Sequence, residues 1–485
     1  MRHGFPPANG RGAPVNSNIR AALLGACPAL SLALLLAGGS ELAADDWPQF
    51  LGPERNGTSS ETNLIEAWPA TGPRVVWSRA IGTGYSAPSV QASRLVVHHR
   101  VKDEEIVECL DAATGTTIWR HAYPSRFQDP YGYNNGPRST PLLSADRCFV
   151  FGAEGKLVCL ELGTGRLIWE RNTGSEFEVP EAFFGVGSSP VLEGNRLLVL
   201  VGGQPNAGMA AFDAANGRTL WTNVGEGTWN GEPMVGWPGE RRVAWRRWDK
   251  QASYATPVLA TIHGRRTALC LMRQGLVSID PTNGVENFSF WFRSQADESV
   301  NAANPVVVDD LVLITAAYYR VGSVLLRVRP EGRSFEEVWR DRVLECHWCT
   351  PIHHQGYLYA FSGRNEPDAR FRCVELRTGK LKWERDESWA PRSSPQPPVY
   401  GRGSLILADA KLIVLGEGGL LGLFRANPDR PEELARWQVP DLKYPSWAGP
   451  VLTDGKLYLR NEDRILCLDL RKDGADHPSG ARKDP

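Results

Sequence analysis

The sequence predicts an all-β chain whose like units close on themselves. Three observations carry that reading: a surplus of turn formers, a strand-opening signature that recurs eight times, and a lone strand ahead of the first repeat. The 485 residues include 49 Gly and 35 Pro, roughly 17% against a usual share of about 12%. Inside a helix Gly costs about 1 kcal/mol and Pro about 3, so coiled coils and α-solenoids are excluded. With 17 Trp, 12 Tyr and 16 Phe the chain has ample apolar surface to bury, which excludes disorder of its body. Basic and acidic side chains number 54 and 55, so no global field favours nucleic acid or an anionic membrane.

The opening signature is a small or polar residue followed by Pro and then an apolar strand. It occurs at Ala87-Pro88, Thr140-Pro141, Ser189-Pro190, Thr256-Pro257, Asn304-Pro305, Thr350-Pro351, Ser394-Pro395 and Gly449-Pro450, about 52 residues apart on average. Pro suits the first residue of a strand because that position need not donate to the ladder. A second signature closes the repeat: a strand ending in an acid, a turn ending in Thr-Gly or Asn-Gly, and Trp four residues later. It reads Leu110-Asp111, Thr114-Gly115, Trp119; then Leu160-Glu161, Thr164-Gly165, Trp169. It recurs at Phe212-Asp213, Asn216-Gly217, Trp221 and at Val374-Glu375, Thr378-Gly379, Trp383. The acid accepts turn N–H groups, Gly supplies positive φ and Trp opens the next strand. Asn283-Gly284 puts Phe288 in the Trp slot, and longer turns lead to Trp339 and Trp437.

The eighth repeat has Cys467-Leu468-Asp469 and no Trp strand after it, while Arg74 to Arg79 with Trp77 stands alone before the first repeat. An N-terminal strand that completes the last blade closes a ring and removes an exposed sheet edge. The chain therefore reads as an eight-bladed β-propeller of four-stranded antiparallel blades over residues 74–470, with a lead-in at 45–73 and a disordered polar tail at 471–485. An open β-solenoid is the competing architecture and would not need the lone strand.

Residues 1–44 read as a secretory signal: Arg2, Arg11 and Arg20, an apolar run from Ala21 to Ala37 broken by Pro28, then Gly38, Gly39 and Ser40. A retained membrane anchor is the alternative. Cleavage would leave 51 basic and 54 acidic groups, a charge of −3, and a periplasmic or secreted protein, expected to be a monomeric propeller. Eight cysteines would remain. Cys109, Cys159, Cys373 and Cys467 hold the same place in successive repeats, too far apart for the roughly 4.4 to 6.8 Å Cα spacing of a bridge, and read as buried thiols. Cys346-His347-Trp348-Cys349 reads chiefly as packing, with a disulfide or a metal contact as alternatives.

The Leu-Asp-x-x-Thr-Gly-x-x-x-Trp unit resembles the tryptophan-docking repeat of the pyrroloquinoline quinone (PQQ) type propellers over essentially the whole mature chain. Asp46 to Pro53 and Tyr131 to Arg138 resemble an exported bacterial branch of that superfamily. The resemblance implies two function classes: non-enzymatic scaffolds such as the propeller subunit of the outer-membrane barrel-assembly machinery, and quinoprotein dehydrogenases of alcohols or sugars. The dehydrogenases need Ca²⁺ on hard oxygens, a carboxylate base and flat groups around PQQ, commonly with a Cys-Cys disulfide. No Cys-Cys pair and no Cys-x-x-Cys-His occurs here. Glu181, Asn301 and Asn304 are candidate oxygen donors.

The favoured expectation is a non-enzymatic binding or scaffold module without cofactor or metal, taking a protein or extracellular polymer through its face loops, and not nucleic acid. A PQQ- and Ca²⁺-dependent dehydrogenase is the alternative. Candidate ligand-site residues, where the Pro-opening loops converge, are Tyr85, Asn134, Asn135, Arg138, Tyr254, Asn301, His347 and Trp447. The repeat tryptophans Trp77, Trp119, Trp169, Trp221, Trp339, Trp383 and Trp437 are structural. An insert at 225–251, rich in Trp and Arg, reads as a hairpin extension over a blade, with stacking on a ligand as the other reading.

Overall fold

The computed structural model describes residues 46–181, 183–229, 253–296, 299–389 and 398–472. The signal-like segment, the Ser394-Pro395 opening, most of the Trp/Arg-rich insert and all but the first two residues of the polar tail lie outside them. Eight four-stranded antiparallel sheets form a ring, a β-propeller. Blade 1 comprises Ser89–Gln91, Arg94–Val101, Glu104–Asp111 and Thr117–Pro124, paired in that order. Blades 2 to 7 repeat the plan over residues 142–172, 191–223, 258–291, 306–341, 352–386 and 403–438. Blade 8 is Val451–Thr453, Lys456–Arg460 and Arg464–Asp469, completed by Arg74–Ala80 from the other end of the chain.

Each docking Trp belongs to the outer strand of one blade and serves the next. The Trp77 indole N–H donates to the Ala112 carbonyl of blade 1 at 3.0 Å, Trp119 to Leu162 of blade 2 at 2.9 Å and Trp169 to Ala214 of blade 3 at 3.0 Å. Trp339 and Trp383 bond in the same way to Leu376 and Asn427. Beneath these rings, except that of Trp383, lies the turn glycine of the receiving blade: a Cβ on Gly165 would sit 2.4 Å from the Trp119 ring. Glycine is thus required twice over, for its positive φ of 73° and for the close approach of the indole. In every blade the register shifts ahead of the turn, a β-bulge that adjoins the Trp pair, or Phe288 in blade 4, in all but blade 7, where it falls between Leu423 and Phe424, beyond the Leu421–Trp437 pair. Directly opposite the Trp stand Cys109, Cys159, Cys373 and Cys467, with Ala211 and Ser278 in the equivalent places of blades 3 and 4. The recurring cysteines are therefore small partners that make room for an indole, and all are buried thiols.

The seam involves more than one strand. Arg74 faces Asp469 and Trp77 faces Cys467 in an antiparallel ladder. Asp469 binds both Arg74 at 2.7 Å and Arg471 at 2.8 Å. Thr71-Gly72 supplies the turn that the eighth repeat lacks, for a Cβ on Gly72 would meet the ring of Trp437 from blade 7 at 2.1 Å. Its signal was in the sequence, as a Thr-Gly placed five residues before Trp77 instead of four.

Buried Glu108 ties the seam strand to blade 1. Its carboxylate takes Arg79 of that strand at 3.0 Å, Arg120 at 3.0 Å, Thr117 at 2.6 Å and His99 at 3.2 Å. Burial alone would raise its pKa, but these hydrogen bonds and the Arg79 charge outweigh it and hold the carboxyl well below its ordinary value. A depressed carboxyl contributes stability above its unfolded pKa, and loses it as pH falls through the folded one. Stability should therefore decline as pH drops below about 4.3, the unfolded value. A Glu108→Gln variant should be less stable at neutral pH and show a shallower decline, read by urea unfolding at a series of pH values; an unchanged slope would exclude Glu108 as a source of acid lability.

The lead-in crosses one end of the ring. Trp47 exchanges two backbone hydrogen bonds with Val90 of blade 1, the Pro48 carbonyl accepts from Leu143 of blade 2, and Arg55 reaches the Leu192 carbonyl of blade 3. Further along, Gly57 and Ser59 pair with Leu407 of blade 7, and Ile65 donates to Leu470 beside blade 8. Trp47, Leu64 and Trp68 are buried in this crossing. The segment is thereby held against blades 1, 2, 3, 7 and 8.

Candidate functional site

The residues before the blade-opening prolines form a relay around the channel. The backbone N–H of Ala87 donates to Thr140 Oγ1 at 3.3 Å, that of Thr140 to Ser189 Oγ at 2.9 Å and that of Ser189 to Thr256 Oγ1 at 3.1 Å. Thr256 continues to Asn304 Oδ1 at 2.8 Å, and Asn304 to Thr350 Oγ1 at 3.0 Å. A short side chain with an oxygen on its β or γ atom is what reaches the neighbouring blade's N–H, which explains the Ser, Thr and Asn of the signature. Each such bond contributes about 0.5–1.5 kcal/mol net.

Above this ring the loops open into a cavity of about 220 Å³ whose floor includes Trp47, Phe50 and Leu51 of the lead-in. Its walls are aromatic. Tyr85 packs on Trp447 at 4.9 Å, Trp447 on Trp348 at 5.3 Å, Trp348 on His347 at 4.9 Å and His347 on Tyr318 at 5.0 Å. On the other side Tyr133 bridges Trp447 at 5.5 Å and Phe184 at 5.8 Å, and Phe184 meets Tyr254 at 5.6 Å. The cluster reaches solvent through Tyr131, Tyr133 and Tyr444, all about half exposed.

Two arginines line the cavity, each already engaged. Arg138 pairs with the buried Asp129 at 2.6 Å and donates to the Asn134 carbonyl at 2.8 Å. Arg402 pairs with Glu417 at 2.8 Å, donates to the Arg364 carbonyl at 2.6 Å and to His347 Nδ1 at 3.3 Å, and stacks over Trp348 at 4.7 Å. Glu417 also accepts the Trp447 indole N–H at 3.1 Å. Burial first, and then the Arg402 and Arg364 charges, push His347 down to about 3, so its imidazole is neutral at physiological pH. Burial and the Glu462 carboxylate raise the Tyr85 phenol, which donates to Glu462 Oε1 at 2.9 Å.

Of the residues anticipated from sequence, Tyr85, Arg138, Tyr254, His347 and Trp447 line this cavity. Asn134, Asn135 and Asn301 are not in its lining. Asn134 donates to Glu462 at 2.5 Å, Asn135 accepts from the Asp129 N–H, and Asn301 donates to the Met272 and Phe292 carbonyls. Sequence reasoning missed Tyr133, Phe184, Tyr318, Trp348 and Arg402. Tyr133 and Trp348 stood inside motifs already singled out, whereas Gly401-Arg402-Gly403 carried no signal. Cys349 lines the cavity wall as a buried thiol, and Cys346 is buried in the blade core.

A ring of four-stranded blades, locked by tryptophan docking, defines the class: a tryptophan-docking β-propeller with an aromatic mouth. The family model described as outer membrane protein assembly factor BamB, built on the PQQ-type repeat, matches residues 57–235 and 102–384, and the chain belongs to that family. BamB from Moraxella catarrhalis superposes with a TM-score of 0.55 at 12% identity, covering 85% of this chain and 100% of that one. The quinohemoprotein alcohol dehydrogenase of Comamonas testosteroni superposes with 0.59 at 14% identity, covering 90% and 82%. Tetrathionate hydrolase from Acidithiobacillus ferrooxidans is 26% identical over 165 residues, 32% of this chain and only 31% of that protein. At such identities the structural likenesses establish the fold alone.

The repeat family raises the question of PQQ with Ca²⁺, and the donors present do not fit it. Glu181 is exposed and lines a separate cavity between blades 1 and 2. Asn304 Oδ1 already accepts the Thr256 N–H in the relay, and of the three candidates only Asn301 Oδ1, buried and without a hydrogen-bond partner while its NH2 holds backbone carbonyls, is uncommitted, so one oxygen and not three is available. Among the described residues no group of three or more His, Cys, Asp or Glu is placed to hold a metal ion. A multiply charged quinone would also meet arginines whose charge Asp129 and Glu417 already balance.

Proposed function

We propose that this chain is an exported, non-enzymatic binding module that takes a protein or extracellular polymer at the aromatic mouth of its propeller. The observation that carries this reading is the cavity itself: bordered by lead-in residues, lined by aromatic rings, and reaching solvent through half-exposed tyrosines. Concave, mostly apolar sites with a few fixed polar groups are where ligands bind. Export is supported by the arginine-then-apolar pattern of residues 1–44, and no described helix is long and apolar enough to cross a membrane. The fold shared with the Comamonas enzyme supports a second reading, a quinoprotein dehydrogenase with a diverged site.

One experiment separates the two. Purified protein is titrated with PQQ and Ca²⁺ and assayed with an artificial electron acceptor over simple alcohols and sugars. The module reading expects neither saturable cofactor binding nor turnover. Binding together with turnover would replace it with the dehydrogenase.

A further inference from the structure

We propose that the mouth receives the end of a neutral polysaccharide chain, an inference that rests on reading the mouth as the ligand site. Charge is the first ground. Both lining guanidiniums face a buried carboxylate, Arg138 with Asp129 and Arg402 with Glu417. An anionic guest would have to draw a cation from its partner and leave that carboxylate buried and unpaired, which low-dielectric surroundings penalise heavily. A cationic guest meets the same obstacle with the sign reversed.

The hydrogen-bonding character of the lining is the second ground. The hydroxyls of Ser189, Thr256 and Thr350 each accept a backbone N–H in the relay and keep their own proton, and all three line the cavity. The Tyr254 hydroxyl likewise accepts the Phe184 N–H at 2.8 Å and keeps its proton. Because burial raises the Tyr254 phenol, that proton stays in place. A set of protons at fixed positions calls for a guest rich in acceptor oxygens, and the ring and hydroxyl oxygens of a sugar are such acceptors. A peptide would bring backbone N–H groups that must also be satisfied when buried, and the relay has already drawn on the hydroxyl oxygens as acceptors.

Shape is the third ground. The indoles of Trp348 and Trp447 give flat apolar walls suited to the C–H face of a pyranose ring. Trp47, Phe50 and Leu51 of the lead-in line the same cavity, and in this proposal they stop the chain there, so that an end of the polymer is recognised.

The test titrates the exported chain, without residues 1–44, with neutral gluco-, xylo- and manno-oligosaccharide series, following tryptophan fluorescence and calorimetry. Uronic-acid oligomers and an extended unstructured peptide are run in parallel. Saturable binding of at least one neutral series, insensitive to salt, is expected. It should weaken about tenfold in Trp447→Ala, the factor corresponding to about 1.4 kcal/mol, and also in Tyr133→Ala, whose half-exposed ring leaves the core untouched. Failure of every neutral series to bind would overturn the proposal, as would binding of uronic acids or peptide alone. Peptide binding lost in Tyr133→Ala would keep the mouth as the site while removing sugar as its ligand. Sugar binding unchanged in both variants would show that the mouth is not where it binds, and would overturn the proposal too.

Discussion

A Gly72→Ala variant should lose about 2 to 5 kcal/mol of stability, combining overpacking with the cost of a side chain in left-handed backbone. Gly72 sits at φ 84°, and its added methyl would lie 2.1 Å from the Trp437 ring, with no flexible chain end to move aside. Gly356, at φ 88° with nothing within 4 Å of an added Cβ, is the control. Gly356→Ala should cost about 1 to 2 kcal/mol, the backbone part alone. Gly379→Ala, where Trp339 would stand 3.0 Å away, should fall between them. Urea unfolding of the three variants gives the ranking. Equal losses at Gly72 and Gly356 would mean that the seam does not depend on docking Trp437.

Arg402→Met should cost about 3–5 kcal/mol, because it strands the fully buried Glu417 without its cation. The loss extends to the mouth, since Glu417 also holds the Trp447 indole and Arg402 lies over Trp348. Trp447 emission should therefore shift in the variant even under conditions where it remains folded. Adding Glu417→Gln removes the uncompensated charge and keeps an oxygen for the Arg402 backbone N–H, which Glu417 Oε1 accepts at 2.8 Å. The double variant should recover a large part of the lost stability. If the single variant costs less than about 1 kcal/mol, in the range of exposed pairs, the pair contributes little and the mouth is held by its aromatic packing.

Much of the fold was legible because its determinants are local and repeated. A turn favours an acid and a glycine, an indole favours a small partner opposite it, and a strand can begin with Pro; these local features recur along the chain, with Leu325 and Leu421 opposite Trp339 and Trp437 among the departures. The seam was legible as an unpaired strand at Trp77. The turn at Thr71-Gly72 went unread because its spacing to Trp77 is one residue longer than the pattern. The relay was visible as a preference for Ser, Thr or Asn before Pro, but its meaning is a bond between blades about 50 residues apart in sequence.

The candidate site divides in the same way. Tyr85, Arg138, Tyr254, His347 and Trp447 come together in one cavity because each lies in a loop beside an opening proline, and those loops meet at one mouth. Asn134, Asn135 and Asn301 lie in the same loops, but their amides are drawn to nearer partners, a choice of side-chain direction that spacing along the chain does not encode. Arg402 and Glu417 are 15 residues apart on the two sides of a hairpin, and only their burial together makes them a pair. By itself the sequence determined the repeat, the blade count and the ring closed by strand exchange, because periodic local chemistry is written along the chain. Tertiary structure alone decided that the lead-in lines the cavity, that the mouth is aromatic and that its charges are balanced. Those properties come from residues of all eight blades and the lead-in meeting at one axis, a convergence created only when the ring closes.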